Sequence, residues 1–155
     1  MAPAAIPDLE AEANRLLGRM TDNTMNVKLE TQRESQRGET VETLEIKVSD
    51  ALGTRSYETF SGGEAFRINL ALRIALSKLL AHRAGAPLPT LFIDEGFGTL
   101  DREGLQMVIE TLQELRREEG RMVGIITHVE EVAAAMPKRI EVRKGSRTSE
   151  ITVSG

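Results

Sequence analysis

With 155 residues, 40% of them apolar and 28% charged, the chain can bury one real core, and no apolar run approaches the length that a bilayer requires. It has no cysteine and only two histidines, His82 and His128, which excludes disulfides, thiolate metal sites and a zinc site of the usual ligands. A formal net charge of −4 argues against a domain that binds nucleic acid through its overall charge, although local basic patches remain.

The opening Met1-Ala2-Pro3-Ala4-Ala5 has no basic region before an apolar stretch, so it does not read as a secretion signal. From Asp8 to Arg19, Leu9, Ala13, Leu16, Leu17 and then Met20 fall on one helical face, with Pro7 just ahead, where helices begin. A short amphipathic helix is predicted, and its start so near the first residue suits the returning end of a longer helix. Val27, Leu29 and Thr31 then alternate with polar residues, and after a charged turn over Arg33 to Thr40 the alternation resumes at Leu44, Ile46 and Val48. That pattern predicts an antiparallel hairpin with one wet face. A turn over Asp50 to Thr54, with Gly53, leads to a further short strand expected at Ser56 to Thr59.

Phe60-Ser61-Gly62-Gly63-Glu64 opens a long helical pattern in which Phe66, Ile68, Leu70, Leu72, Ile74, Leu76, Leu79 and Leu80 leave almost no polar face. A largely buried helix is expected. Ser61 suits its N-cap, and Glu64 lies within the positive end of its dipole. Plain capping accounts for the serine and the acid but does not need the paired glycines, which cost helix stability by roughly 1 kcal/mol each in the helix proper. Glycines serve where something must approach the backbone closely, and at a helix start the usual visitor is an anion.

After a loop from Gly85 to Pro89, Thr90 to Ile93 read as a strand buried on both faces that ends in two adjacent carboxylates, Asp94 and Glu95, and then turns at Gly96 and Gly98. Strand ends of this kind are where α/β sheets carry their chemistry. One acid there can hold a magnesium ion through its waters, and a neighbour can polarise water towards a phosphate. Asp101 is placed to cap a helix from Arg102 to Glu119 with apolar face Leu105, Val108, Ile109, Leu112 and Leu115, ended by Gly120. A strand from Met122 to Thr127 runs into His128, Val129 to Met136 forms a short helix stopped by Pro137, and Ile140 to Val142 and Glu150 to Val153 close the chain. The alternation of strand and helix predicts an α/β fold with a parallel sheet layer. A lone histidine at a strand end is commonly just solvated, but His128 ends the strand expected beside that of Asp94, which makes it a candidate phosphate contact. His82, at the end of the long helix, is read as an ordinary exposed residue.

Taken together, these segments resemble a family. Phe60-Ser61-Gly62-Gly63-Glu64 resembles the signature motif of ABC-type ATPases, Leu91 to Glu95 their Walker B strand, Gly98-Thr99-Leu100-Asp101 their D-loop and Thr127-His128 their switch histidine, in the family's order. The wording Phe92-Ile93-Asp94-Glu95-Gly96-Phe97-Gly98-Thr99-Leu100-Asp101 is similar to SbcC-type SMC-like ATPases of double-strand-break nucleases, as is Glu12 to Leu17. Transporters differ after the aspartate. A Gly-x-x-x-x-Gly-Lys-Ser/Thr phosphate loop is missing from the sequence, so the resemblance covers the family's carboxyl-terminal segment.

The resemblance implies the carboxyl-terminal half of an ABC-type ATPase head, with residues 1–20 as the end of a coiled coil and residues 21–155 as the lobe proper. It implies ATP and Mg2+ as cofactors, Asp94 as the metal residue, and Glu95 and His128 as catalytic residues. Ser61, Gly62, Gly63 and Glu64 would bind ATP held by the opposite subunit, and Asp101 would reach towards that subunit. The implied partners are an amino-terminal Walker A segment of the same protein, a second copy in a head dimer, an SbcD-type metallophosphoesterase nuclease and DNA, in a cytoplasmic, nucleoid-associated setting without a membrane. A structural SMC-like DNA tether and a transporter-type motor are the alternatives. Arg67 and Arg73 interrupt the apolar surface of the signature helix and are expected to snorkel or form salt bridges, whereas Lys138, Arg139, Arg143, Lys144 and Arg147 are expected to protect an edge from aggregation.

Overall fold

A computed structural model describes residues 5–34, 40–60, 62–87 and 90–155. Helix α1 (Ile6–Thr21) starts with Pro7 in its first turn and buries Leu9, Ala13, Leu16, Leu17 and Met20. Their helical spacing makes one stripe, and that stripe enters the core. The polar residues beside it have a second task. Asn14 donates its amide to the Val27 carbonyl at 2.9 Å and accepts from the Val27 N–H at 2.7 Å, and Glu10 accepts from the Leu29 N–H at 2.8 Å. Strand β1 (Asn26–Glu34) lies at the edge of its sheet, so these side chains satisfy backbone groups that an edge would leave open.

β1 pairs antiparallel with β2 (Thr40–Asp50), and β2 with β3 (Gly53–Ser56). Val27 opposes Val48 and Leu29 opposes Ile46, with Val27, Leu29 and Val48 buried. The middle of the charged turn, 35–39, lies outside the described residues. The third strand begins earlier than the sequence suggested. Asp50 pairs directly with Gly53, whose φ of 115° only glycine adopts comfortably, and the Asp50 carboxylate caps the Leu52 N–H at 2.8 Å. The turn is therefore tight, the strand is complete by Ser56, and Tyr57–Thr59 forms a single 3-10 turn instead of a strand.

Helix α2 (Gly62–Ala84) buries Ile68, Leu70, Ala71, Ile74, Ala75 and Ala81 and packs along α1. Its burial is less complete than its composition implies, because Asn69, Arg73 and Leu80 are exposed. Strand β4 (Leu91–Asp94) runs parallel to β5 (Val123–Ile126), with Leu91 beside Val123 and Asp94 beside Ile126. The expectation that β4 is covered on both faces is corrected. Leu91 and Ile93 are buried, but Phe92 is 64% exposed and Ile126 on the same face is 55% exposed, because no described element packs there. Gly124 makes room for the Phe92 ring, which a Cβ at that position would meet at 2.5 Å.

The inner face meets α3 (Arg102–Glu119), whose Leu105, Val108, Ile109, Leu112 and Leu115 are all buried. Asp101 caps it by accepting from the Gly104 N–H at 2.8 Å, and Gly120, φ 60°, ends it. After the short helix α4 (Glu130–Ala135), strands β6 (Arg139–Lys144) and β7 (Ser149–Ser154) pair antiparallel with each other. The parallel layer among the described residues is thus the β4 and β5 pair, and the closing hairpin stands apart with every residue exposed.

Candidate functional site at the β4 and β5 tips

The backbone at the end of β4 does two things at once. Glu95 and Gly96 adopt positive φ, 58° and 100°, which turns the chain sharply, while the Glu95 N–H still donates to the Ile126 carbonyl at 2.9 Å. The parallel ladder therefore extends one residue past the strand, and Glu95 projects beside the end of β5. Thr127 accepts from the Val129 N–H at 3.0 Å, which bends the next loop so that His128 faces back. Nδ1 of His128 lies 2.9 Å from a Glu95 carboxylate oxygen, and both side chains are open to solvent. A non-glycine residue at positive φ is uncommon, and among the described residues Glu95 shares it with Asp22 and Asn23 at the end of α1.

Asp94 is exposed on the same side of the sheet as Phe92 and Ile126. Among the described residues no cluster of three or more potential metal ligands occurs. The exposed carboxylates of Asp94 and Glu95 are donors that suit magnesium, which is ordinarily held by one or two carboxylates together with waters and substrate phosphates.

The signature segment is held against this tip from the other side. The Phe66 ring packs on Phe97 with centroids 5.1 Å apart, and a Cβ on Gly96 would come within 2.6 Å of the Phe66 ring. Gly63 faces the D-loop: an added Cβ would meet the Thr99 carbonyl oxygen at 2.9 Å and the Leu100 side chain at 3.1 Å. The close approach that the glycine pair predicted thus comes, at Gly63, from the chain's own backbone. Gly62 remains available for a visitor, with φ 58° and, among the described residues, nothing within 4 Å of where a Cβ would stand. Glu64 is exposed in the first turn of α2, Asp101 is exposed with one oxygen engaged in its cap, and Ser61 lies outside the described residues.

The two signature-helix arginines differ: Arg67 is tied to the backbone, whereas Arg73 is exposed. Arg67, half-buried, donates to the Gly63 carbonyl and to the Met20 carbonyl at the end of α1, each at 3.2 Å. It therefore ties the end of α1 to the start of α2, a link hinted at only by a charge four residues after Gly63. Arg73 joins Tyr57, Asn69, Asp94 and Glu95 around an open cleft of about 300 Å3 between α2 and the β4 tip. Lys138, Arg139, Arg143, Lys144 and Arg147 are exposed on or beside β6, and Arg143 pairs with Glu141 at 2.8 Å, which raises the Arg143 pKa through that hydrogen bond and charge.

An acidic strand tip faces a histidine, and a glycine-led helix is seated on the following turn, within a fold shared with the head domains of SMC proteins. A chain from a study of ATP-driven dimerization and DNA-stimulated activation of SMC ATPases superposes with TM-score 0.76 at 19% identity, covering 98% of this chain and 86% of that one. The Smc head domain of Pyrococcus furiosus, solved with an extended coiled coil and the C-terminal domain of ScpA, gives 0.74 at 19% identity over 96% of this chain and 35% of its own.

The family described as SbcC/RAD50-like, Walker B motif matches residues 18–114, and the chain belongs to that family. The SbcC component of the nuclease SbcCD from Staphylococcus aureus (strain JH9) is 40% identical over 137 residues, which are 86% of this chain and 13% of that protein. The chain thus spans about 13% of the length of the curated relatives it matches.

Proposed function

We propose that residues 21–155 are the carboxyl-terminal lobe of an ATPase head, entered by a coiled-coil end over residues 1–20, and that the head hydrolyses ATP in a dimer to regulate a nuclease acting on DNA double-strand breaks. The observation that carries this reading is the Glu95 and His128 pair at the tip of a parallel sheet whose outer face is bare. Chemistry is gathered at one end, and the surface beside it is unfinished. A phosphate-loop segment of the same protein supplies what the sequence lacks, and the chain by itself is inactive.

Asp94 would hold Mg2+, and that ion, when bound, would supply charge neutralisation at the ATP phosphates. Glu95 takes a proton from the attacking water, and His128 orients the carboxylate and reaches the γ-phosphate. Ser61, Gly62, Gly63 and Glu64 meet the nucleotide held by the other head, and Asp101 crosses the same interface. Charge-assisted hydrogen bonds of this type contribute about 1.5–3 kcal/mol each, so a few across two sites decide whether heads associate. The partners are a second head, an SbcD-type metallophosphoesterase that binds near α1, and DNA, in the cytoplasm at the nucleoid.

The test uses the complete protein. Wild type dimerises on adding ATP and turns it over, Ser61→Arg fails to dimerise, and Glu95→Gln dimerises without turnover. Normal hydrolysis by the Gln variant overturns the base assignment, and a protein that never dimerises with ATP overturns the reading. The likeness to SMC heads keeps a DNA tether as the second reading, and capture of the metallophosphoesterase distinguishes the two.

A further inference from the structure

We propose that Arg55 is a positioning residue that sets where the signature loop begins. Arg55 stands opposite Val48 in the β2 and β3 pairing, and Val48 is wholly buried, so the arginine occupies a position that faces the core. Its guanidinium carbon lies 4.3 Å from the centroid of the Phe60 ring, which is itself buried. Asp50 pairs with the same guanidinium, and the other Asp50 oxygen holds the Leu52 N–H in the hairpin turn. Phe60 is the residue before Ser61, and its own N–H is fixed on the Tyr57 carbonyl at 3.0 Å. The hairpin turn is therefore connected to the first residue of the signature loop through Asp50, Arg55 and the Phe60 face.

Packing alone does not call for this arrangement. Arg55 Nε is buried with no acceptor among the described residues, a cost that an apolar side chain of the same length would not incur. The cation adds attraction to the ring face and a direction, since the planar guanidinium held by Asp50 fixes the height and tilt of the ring. Among the described residues no atom lies within 4 Å of where a Cβ on Gly62 would stand, whereas Phe60 and Gly63 on either side make close contacts.

The inference rests on the reading of residues 61–63 as the loop that meets nucleotide across a head dimer, and the experiment separates the two. In the complete protein, Arg55→Met is expected to leave ATP binding to the undimerised head unchanged, because that nucleotide is held by the phosphate loop of its own head. The ATP concentration for half-maximal dimerisation and turnover rises about tenfold, the scale of a lost, partly buried cation and ring contact. Arg55→Lys, which keeps a cation over the ring, recovers most of the wild-type value. Val27→Ala, a core truncation, lowers the melting temperature without moving the ATP dependence. If Arg55→Met dimerises at the wild-type ATP concentration, or if Val27→Ala shifts the ATP dependence equally, Arg55 is structural and the proposal is overturned. Wild type that ignores ATP would instead sink the reading of the loop itself.

Discussion

His128 meets Glu95 directly, Nδ1 to carboxylate oxygen at 2.9 Å, across the tips of two strands joined by a parallel ladder. Glu95, one residue past the Asp94 and Ile126 pair, still donates its N–H to the Ile126 carbonyl while its backbone turns through a positive φ. A histidine in this place can hold the carboxylate in the orientation that a water needs, or withhold it until nucleotide arrives.

Both roles predict the same first result. His128→Ala in the complete protein is expected to lower ATP turnover by roughly 10²-fold, within the range for a positioned acid or base partner. Dimerisation on ATP is kept, because the residue lies outside the signature segment. Steady-state turnover beside light scattering reads both effects, and an unchanged rate would remove His128 from the site.

The reach of the sequence differed from residue to residue. The meeting of the Asp94 and His128 strand ends was legible because chain order places β4 beside β5. The cap by Asp101 was legible because its bond to Gly104 is local. The tether from Arg67 to Met20 was not, since nothing near position 67 announces a carbonyl 47 residues away. The open face of β4 was misread for a related reason. Periodicity reports which face a residue is suited to bury, whereas Phe92 shows that suitability and cover are separate facts.

Gly63→Ala is expected to displace the D-loop. The new methyl group would meet the Thr99 carbonyl at 2.9 Å, and a backbone atom cannot rotate away as a side-chain end can. Overpacking of this kind costs about 1–3 kcal/mol. The melting temperature falls, and hydrogen exchange rises over Thr99 to Asp101. Gly62→Ala has open space but a strained φ, so it weakens the helix start without disturbing the D-loop.

Acid should loosen α1 from α2. Glu12 accepts from Arg15 and Lys78, each at 2.7 Å, and although burial alone would raise its pKa, these hydrogen bonds and charges bring it below the usual 4.5. A carboxylate whose folded pKa is depressed adds stability that is complete above the unfolded value and is lost as pH falls through the folded one. Wild type therefore loses melting temperature as pH drops below 4.5, and Glu12→Gln, less stable at neutral pH, shows a shallower decline over that window. Identical slopes for the two proteins would show that Glu12 is not the group responsible.

The bare side of the sheet yields the last prediction. Parallel strands are normally covered on both faces, yet Phe92, Ile126 and Met122, the last 70% exposed, lie on one open side next to Asp94. Burying a Phe or Ile side chain contributes about 1.5–3 kcal/mol, so the pair can supply a substantial part of the attachment of the proposed phosphate-loop segment. Phe92→Ser with Ile126→Ser should reduce dye binding by the chain alone while weakening capture of a separately expressed phosphate-loop segment by about 10²-fold or more. The inner residues Leu91 and Ile93 are untouched by these changes, so far-ultraviolet circular dichroism stays that of wild type. Capture at wild-type strength would mean that the segment docks elsewhere, and that the acidic tip is completed from a different side.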